Sequence, residues 1–172
     1  MRVAITGTPG TGKSTVGKIL SEKLGIPVYN LSELIKEKGF YTEFDEKRGA
    51  YIVDVEKLQE FFKGKESYIA EGLVAHYVPA DLIVILRAKP EVVVERLRPR
   101  RYSEEKLKEN AEAERLAVIA TEVFESSPDS RVAHIDTTNR TPEEVAELIE
   151  KAIEGEEVFD DVDWLEDATG SY

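Results

Sequence analysis

Hydrophobic residues form short runs that alternate with stretches of helical spacing along most of the chain. Five segments have the lengths of short buried strands: Val3–Ile5, Val28–Tyr29, Ser67–Ala70, Leu82–Leu86 and Val132–Ile135. Between them, apolar residues recur every three or four positions, as on the buried face of a helix. This alternation predicts an α/β fold, with a five-stranded parallel sheet and helices on both of its faces.

Capping residues mark where these helices begin and end. Gly25 is suited to end the first helix near Leu24, because glycine adopts the left-handed backbone at little cost. Asp54 and Ser103 are N-cap residues, and Thr141 begins a capping box with proline at the first helical position. Either Asn30 or Ser32 caps the helix that follows the second strand, and that helix stops at Gly39. The boundaries therefore support the alternation of strands and helices.

Two stretches are less regular. From Phe40 to Val53, aromatic and charged residues are mixed, which predicts a small excursion from the sheet rather than a core element. From Ser103 the spacing predicts one long helix that ends before Pro128. Its buried face is predicted to carry Ala113, Leu116, Ala117, Ala120 and Phe124.

Size and composition restrict the class of protein. The chain has 172 residues, 41% of them hydrophobic and 34% charged, which fits one globular domain. No apolar run has membrane-spanning length and the chain begins with a strand, so we expect a cytoplasmic protein with no membrane partner. There is no cysteine, which excludes disulfides, thiol chemistry and cysteine-based zinc sites.

Acidic residues dominate the charge, especially at the end of the chain. The net charge is −12, so strong direct binding to nucleic acid is not expected. Residues 154–172 contain eight acidic residues and no Lys or Arg, which makes them an acidic tail that suits a basic partner. Val158, Val162 and Leu165 would share a helix face there, close to Trp164. The tail is either one short helix folded back on the body or a docking peptide.

The strongest motif follows the first strand. Gly7, Gly12, Lys13 and Ser14 fit the P-loop pattern G-x-x-x-x-G-K-[ST], whose backbone N–H groups and helix N-terminus hold a phosphate chain. An ordinary glycine turn is the alternative, but a chance match should occur in fewer than about one chain of this size in a hundred. We predict a P-loop NTPase fold and Mg²⁺ on the Ser14 hydroxyl. The predicted ATP-binding loop residues are Gly10, Thr11, Gly12, Lys13, Ser14 and Thr15.

A phosphoryl-transferring enzyme also needs a carboxylate near the metal and cations near the transferred group. Glu71 ends a buried strand opposite the P-loop, where it is either a surface acid or a group that positions metal or water. Asp54 and Asp81 are weaker candidates. Arg98, Arg100 and Arg101 form either a solvated turn or a mobile cationic cluster that stabilises the transition state.

His76 and the guanine motifs complete the candidates. His76 lies in the loop near the expected γ-phosphate, where it orients a water, packs internally or is exposed; His134 lies in a strand and is interpreted as structural. The guanine-binding sequence N-K-x-D is absent from the chain. Asp167–Gly170 matches D-x-x-G only within the tail, so a switch GTPase is not favoured.

Several segments together resemble one known family, the adenylate kinases of archaea and eukaryotic nuclei. The similarity covers residues 1 to about 153. It depends on GTPGTGKST in the P-loop, VYNLSELIK from Val28, FDE from Phe44, Leu86-Arg87, and ERLRPRRY from Glu95.

The resemblance implies a nucleoside monophosphate kinase that favours AMP and also hydrolyses ATP. It implies a monophosphate-binding region at about 30–53, with Asn30, Lys36 and Asp45, and a short lid at about 99–109. Arg100 matches the lid arginine that contacts ATP, and residues 137–140, including Asn139 and Arg140, match the loop beside the adenine. It further implies a role in maturation of the small ribosomal subunit, with a basic ribosomal protein as a transient partner.

Three positions differ from the family pattern. Lys36 occupies the position of an arginine that binds the acceptor phosphate, and lysine cannot make the bidentate contact. Leu73 occupies the position where the family often has histidine after the acidic residue. Arg101 replaces a glycine common before the lid tyrosine, and nothing in the sequence explains that change.

The sequence thus predicts transfer of the ATP γ-phosphoryl to a nucleoside monophosphate, AMP first, with Lys13, Glu71 and Arg100 as catalytic residues and Ser14 and Glu71 at the metal. A ribosome-assembly ATPase with incidental kinase activity is the alternative. A small-metabolite kinase is a third reading, disfavoured because no dedicated sugar or shikimate motif is present.

Overall fold

The computed structural model describes residues 1–47 and 49–165. Its strands are β1 (Arg2–Gly7), β2 (Val28–Asn30), β3 (Tyr41–Asp45), β4 (Ala50–Val53), β5 (Tyr68–Glu71), β6 (Leu82–Arg87) and β7 (Val132–Asp136). Its helices are α1 (Lys13–Leu24), α2 (Leu31–Lys38), α3 (Val55–Phe62), α4 (Pro90–Leu97), α5 (Glu104–Arg115), α6 (Val118–Ser126) and α7 (Pro142–Ile153).

Five of these strands form the predicted parallel sheet, in the order β2-β5-β1-β6-β7. The carboxyl ends of β1, β5 and β2 lie side by side, because Ile5 is in register with Glu71, and Glu71 with Asn30. The prediction of a five-stranded parallel sheet is confirmed. In the described part of the chain, no helix is long and apolar enough to cross a membrane.

Both faces of the sheet are covered by helices, as predicted. On one face, Val3 and Ile5 pack with Val16, Leu20 and Ile149 from α1 and α7. On the other face, Ala4 and Ala70 pack with side chains of α2, α3 and α6. Since each central strand is buried on both sides, its sequence is a continuous apolar run rather than an alternating one.

The predicted helix boundaries are largely confirmed. The side chains of Asp54, Ser103 and Thr141 each accept a hydrogen bond from a backbone N–H three residues later, which makes them the N-caps of α3, α5 and α7. Asn30 rather than Ser32 caps α2, and Gly25 ends α1 in the left-handed conformation with φ 67°.

The irregular region after α2 contains an antiparallel hairpin of β3 and β4 outside the main sheet. Tyr41, Phe44 and Tyr51 lie together, with ring centroids 4.2 Å apart for Tyr41 and Tyr51 and 5.0 Å apart for Phe44 and Tyr51. The prediction of an excursion from the sheet is confirmed. The two strands within it were not predicted.

The prediction of one long helix after Ser103 is wrong, because α5 and α6 are separate. Ala117 between them has a φ of 54°, and Leu116 and Phe124 are 52% and 45% exposed instead of buried. The main-chain carbonyl of Glu114 accepts a hydrogen bond from Arg87 Nη2 at 3.0 Å, and also from the backbone N–H of Ala117. A continuous helix would use that carbonyl for Val118, so the contact with Arg87 accompanies the break.

The part of the tail that the structure describes, up to Leu165, folds back on the body, but residues 158–164 do not form the short helix that was one of the two alternatives. Phe159 instead pairs with His134 in a parallel bridge at the outer edge of β7. Trp164 is 8% exposed, whereas Leu165 is 53% exposed. The remainder of the tail, including the acidic residues Glu166 and Asp167 and the D-x-x-G match, lies outside the described residues.

Candidate active site

The P-loop connects β1 to α1 at the carboxyl edge of the sheet. A Cβ on Gly7 would lie 2.6 Å from the carbonyl oxygen of Leu86, and one on Gly10 would lie 3.1 Å from the carbonyl oxygen of Val93. Gly12, the N-cap of α1, has a φ of 97°, a backbone conformation that only glycine adopts easily. The glycines are therefore needed for close packing and for the backbone path, and the loop lies at a helix N-terminus that attracts anions.

Lys13 points back into this loop. Its ammonium donates to the carbonyl oxygens of Gly7 at 2.8 Å and Thr8 at 3.1 Å. Burial lowers the pKa of Lys13 to about 8, while the nearby Glu71 carboxylate opposes and Arg100 adds to that shift. A phosphate chain in the loop would bring negative charge to this ammonium and favour its protonated form.

Glu71 lies directly in front of the P-loop. The Ser14 hydroxyl donates a hydrogen bond of 3.1 Å to Glu71 Oε1, and the glutamate is only 3% exposed. Burial raises the pKa of this carboxyl, an effect that Ser14, Lys13 and Asn30 partly oppose. Two oxygen ligands of the kind that Mg²⁺ prefers thus face each other beside the phosphate-binding backbone.

A cavity of about 260 Å³ opens beside the P-loop. The P-loop and the start of α1 form one wall, and the arginines after α4 and the loop after β7 form others. It is lined by Gly10, Thr11, Gly12, Thr15, Val16, Arg96, Arg100, Thr137, Arg140, Pro142 and Val145. The cavity is therefore continuous with the phosphate-binding backbone and carries three guanidinium groups.

Comparison with known proteins gives the family. Residues 3–117 match a family model described as "AAA domain". A protein of Methanocaldococcus jannaschii named "Putative adenylate kinase" is 41% identical over 171 residues, covering 96% of this chain and 94% of that protein. One of the same name from Methanosarcina barkeri is 46% identical over 160 residues, covering 90% and 86%. The chain belongs to the archaeal adenylate kinase family. It is a nucleotide kinase, a phosphotransferase.

Solved structures agree with this kinase fold at low sequence identity. Deoxyadenosine kinase from M. mycoides superposes with a TM-score of 0.61 at 19% identity, covering 90% of this chain and 98% of that one. Shikimate kinase from Aquifex aeolicus superposes with a TM-score of 0.56 at 23% identity, covering 90% and 97%. At this level of identity the likeness concerns the fold alone.

Arg96 is a residue of this kinase site that the sequence analysis did not single out. Its Nη1 donates to Thr137 Oγ1 at 3.0 Å and to the Gly10 carbonyl at 3.3 Å, and its Nη2 donates to the Thr137 carbonyl at 3.0 Å. It therefore holds the loop after β7 against the P-loop. In the sequence, Arg96 is one polar residue in the last turn of an amphipathic helix. Its position in the ERLRPRRY segment is the only sequence signal that could have pointed to a role in the site.

The predicted cationic cluster lies in a short turn directly after α4. Arg98 to Arg100 form a 3₁₀ turn after α4, and Arg98 pairs with Glu104 at 2.7 Å. Arg100 faces the cavity beside the P-loop, and Arg101 follows with a φ of 60°. Glycine tolerates that backbone better than arginine does, which fits a family glycine at this position but leaves Arg101 itself unexplained.

His76 is buried, and both of its ring nitrogens have partners within the protein. Its Nδ1 lies 3.1 Å from Thr6 Oγ1 and its Nε2 lies 3.3 Å from Glu122 Oε1. Burial lowers its pKa, against the effect of Glu122. Among the alternatives left open by the sequence, internal packing is the one that the structure supports. Leu73, at the position of the family histidine, is 45% exposed.

The two rival carboxylates lie away from the P-loop. Asp54 caps α3, as the sequence indicated. Asp81 pairs with Arg2 at the start of β1, at 2.8 Å, whereas the P-loop follows the opposite end of that strand. Glu71 is thus the only one of the three predicted carboxylates that faces Ser14 and Lys13.

The predicted acceptor residues of the kinase lie on three different elements, β2, α2 and β3. Asn30 ends β2 beside Glu71, Lys36 is exposed in the last turn of α2, and Asp45 ends β3. Asp45 Oδ1 accepts from the Lys47 backbone at 3.0 Å. The hairpin approaches α5, since a Cβ on Gly49 would lie 3.9 Å from Lys106 Nζ. Asn139, predicted at the adenine, is exposed in the loop after β7.

Proposed function

We propose that this kinase transfers the γ-phosphoryl group of ATP to a nucleoside monophosphate, with AMP as the first acceptor. The observation that carries the proposal is the pair of Ser14 and Glu71, 3.1 Å apart in front of the P-loop and next to Lys13. The archaeal relatives named "Putative adenylate kinase" support AMP as the acceptor.

The residues around the P-loop supply the catalysis that this reaction requires. An oxygen of the acceptor phosphate attacks the γ-phosphorus, the bond from γ-phosphorus to the β–γ bridging oxygen breaks, and both nucleotides leave as diphosphates. Lys13 would exchange its two loop carbonyls for β- and γ-phosphate oxygens. Arg100, whose charge acts on Lys13, would neutralise charge on the transferred group, an effect that reaches about 10³- to 10⁵-fold in related enzymes.

Magnesium fits the oxygen ligands beside the P-loop. The Ser14 hydroxyl and the Glu71 carboxylate are hard oxygen ligands, and Mg²⁺ commonly takes one or two protein oxygens together with phosphates and water. When bound, the ion held by Ser14 and Glu71 would neutralise negative charge on the phosphate chain. Glu71 would hold the ion as an ionised carboxylate. Because burial raises the pKa of Glu71, metal binding should weaken in acid.

The donor adenine would occupy the cavity between the P-loop and the loop after β7, which Arg140 lines. Asn139 precedes Arg140 in the same loop and is exposed. The acceptor would bind between α2 and the hairpin, using Asn30, Lys36 and Asp45. There the aromatic face of Tyr41, Phe44 and Tyr51 offers surface for a base, and Phe44 is half-exposed.

We also propose the division of the chain that the family resemblance implies. Residues 1–153 would be the kinase domain, with a monophosphate-binding region at about 30–53 and a lid at about 99–109, and residues 154–172 would be the acidic tail. The position of Gly49, where an added Cβ would lie 3.9 Å from Lys106 Nζ, supports an acceptor site bounded by the hairpin and α5. A cytoplasmic location is part of the same proposal.

The test is ADP formation from Mg·ATP, measured with and without AMP. We expect strong stimulation by AMP and two ADP molecules for each ATP consumed. Lys13→Ala should lower turnover by orders of magnitude, whereas the control Lys18→Ala, an exposed lysine on the same helix, should leave it unchanged. ADP release that is slow and indifferent to AMP would contradict the kinase proposal.

A second candidate is an ATPase that assists maturation of the small ribosomal subunit, with a basic ribosomal protein as partner. The exposed acidic residues Glu156, Glu157, Asp161 and Asp163 on the tail favour such a partner by charge. A basic small-subunit protein that changes ATP turnover without AMP would support it. Removing Val158–Tyr172 tests the tail as docking segment: unchanged affinity for that protein would exclude the tail.

A further inference from the structure

The tail is joined to the sheet beside the nucleotide cavity. The backbone N–H of His134 donates to the carbonyl of Val158 at 3.0 Å, and the N–H of Asp160 donates to the carbonyl of His134 at 2.8 Å. These bonds make residues 158–160 a short parallel addition to β7. Since the addition runs parallel to β7, Asp160 lies toward the carboxyl edge of the sheet, where the loop 136–140 begins.

The side chain of Asp160 binds both ends of that loop. Its Oδ2 accepts from the backbone N–H of Asp136 at 2.9 Å and from Arg140 Nη1 at 2.5 Å. Arg140 Nη1 also donates to the Asp136 carbonyl at 3.0 Å. Although burial alone would raise the pKa of Asp160, these two donors lower it, so the carboxylate is ionised at neutral pH.

The same loop is a wall of the cavity beside the P-loop. Thr137 and Arg140 line that cavity, and Thr137 Oγ1 lies 3.2 Å from the Thr11 carbonyl. Arg140 is a long side chain that could adopt many rotamers. The carboxylate of Asp160 restricts them, because it holds the guanidinium at the cavity edge.

A second set of contacts links the tail to the body through His134. Its Nδ1 lies 2.7 Å from the Asp160 carbonyl, so Nδ1–H donates there and Nε2 accepts from Arg87 Nη1 at 3.2 Å. Burial lowers the pKa of His134, which keeps the ring in this neutral form. Arg87 is in turn paired with Glu114 at 2.6 Å. The position of Asp160 is therefore fixed from both its backbone and its side chain.

We propose that Asp160, a residue of the tail, is a positioning residue for the donor nucleotide, acting by holding Arg140 and the loop 136–140 against the nucleotide cavity. The inference rests on the proposed function in that it takes this cavity as the site of the ATP base. It extends the nucleotide-binding unit past the end of α7 and gives the tail a function that needs no partner protein.

The test compares Asp160→Asn with the control Asp161→Asn, an exposed acid one residue later. A partly exposed ion pair of this kind corresponds to a change of about 1.4- to 5-fold, so Asp160→Asn should raise the KM for ATP by that factor. The KM for AMP and kcat should stay unchanged, and Asp160→Glu should recover part of the loss. Equal changes in both KM values, or a lower melting temperature with no selective change for ATP, would overturn the positioning role.

Direct binding separates this proposal from the proposed function. Mg·ADP titrated calorimetrically should bind the wild-type chain more tightly than Asp160→Asn. By linkage, bound Mg·ADP should slow hydrogen exchange at the backbone N–H groups of Asp136 and Asp160 in the wild type. If the wild type binds Mg·ADP but shows no turnover, the kinase reaction is contradicted and the positioning role is not. If Asp160→Asn and the wild type bind Mg·ADP equally tightly, the positioning role is overturned and the kinase reaction is not.

Discussion

The buried ion pair between Arg87 and Glu114 gives the most quantitative prediction. Glu114 Oε1 accepts from Arg87 Nε at 2.6 Å, and Oε2 accepts from the Ala88 backbone N–H at 3.0 Å. Glu114→Gln keeps the shape of the side chain but has only one oxygen. One of the two donors would then face an amide NH₂ group, and the Arg87 charge would lose its counter-ion.

The expected loss of stability follows from burial. The side chains of Arg87 and Glu114 are 4% and 2% exposed, so solvent cannot replace the missing charge. Removing one partner of such a pair costs about 3–5 kcal/mol. In a chain of this size, 1 kcal/mol corresponds to a change of about 2–4 °C in melting temperature, so we expect a decrease of about 6–20 °C.

The assay is urea unfolding and thermal unfolding of the wild type, Glu114→Gln and a control on the same helix. Glu109→Gln changes an exposed residue of α5 and should alter stability by less than about 0.5 kcal/mol. The double change Arg87→Met with Glu114→Leu removes both charges and should cost less than Glu114→Gln alone. A loss below about 1 kcal/mol for Glu114→Gln would refute the reasoning.

Three further predictions concern the nucleotide site. Because the pKa of Lys13 is about 8 before phosphates approach, ATP binding at pH 8.5–9 should take up a proton, and the affinity for ATP should fall as pH rises. Calorimetry in buffers of different ionisation enthalpy measures the proton uptake. Lys13→Ala should abolish that uptake. Glu71→Gln should raise the Mg²⁺ concentration for half-maximal activity about tenfold or more, and should remove the acid-side loss that protonation of Glu71 causes. Lys36→Arg should lower the KM for AMP about 3- to 10-fold, because a guanidinium can bind the acceptor phosphate with two parallel hydrogen bonds; an unchanged KM would remove Lys36 from the acceptor site.

Local sequence determined much of the fold. The run Leu82–Leu86 predicted a buried strand, and Thr141 with Glu144 predicted the start of a helix, because these signals depend on neighbouring residues alone. The P-loop could also be predicted from local sequence, because its backbone conformation and close packing require glycine at fixed positions. The sequence likewise singled out Glu71, because a strand end in a parallel sheet must lie at the edge where the P-loop is.

The tertiary structure decided what depends on residues far apart in the chain. The helix after Ser103 is interrupted where Arg87 binds the carbonyl of Glu114, a contact that helical periodicity does not contain. Residues 158–160 lie extended along β7 because β7 offers unpaired backbone groups at the sheet edge, whereas a helix through Val158, Val162 and Leu165 would leave them unpaired. Arg96 and Asp160 belong to the nucleotide site only because the crossovers of the fold bring α4 and the tail to the loop after β7. Spacing along the sequence predicts which side chains lie on the same face of a helix or strand. Only the folded chain determines which distant group each of those side chains contacts.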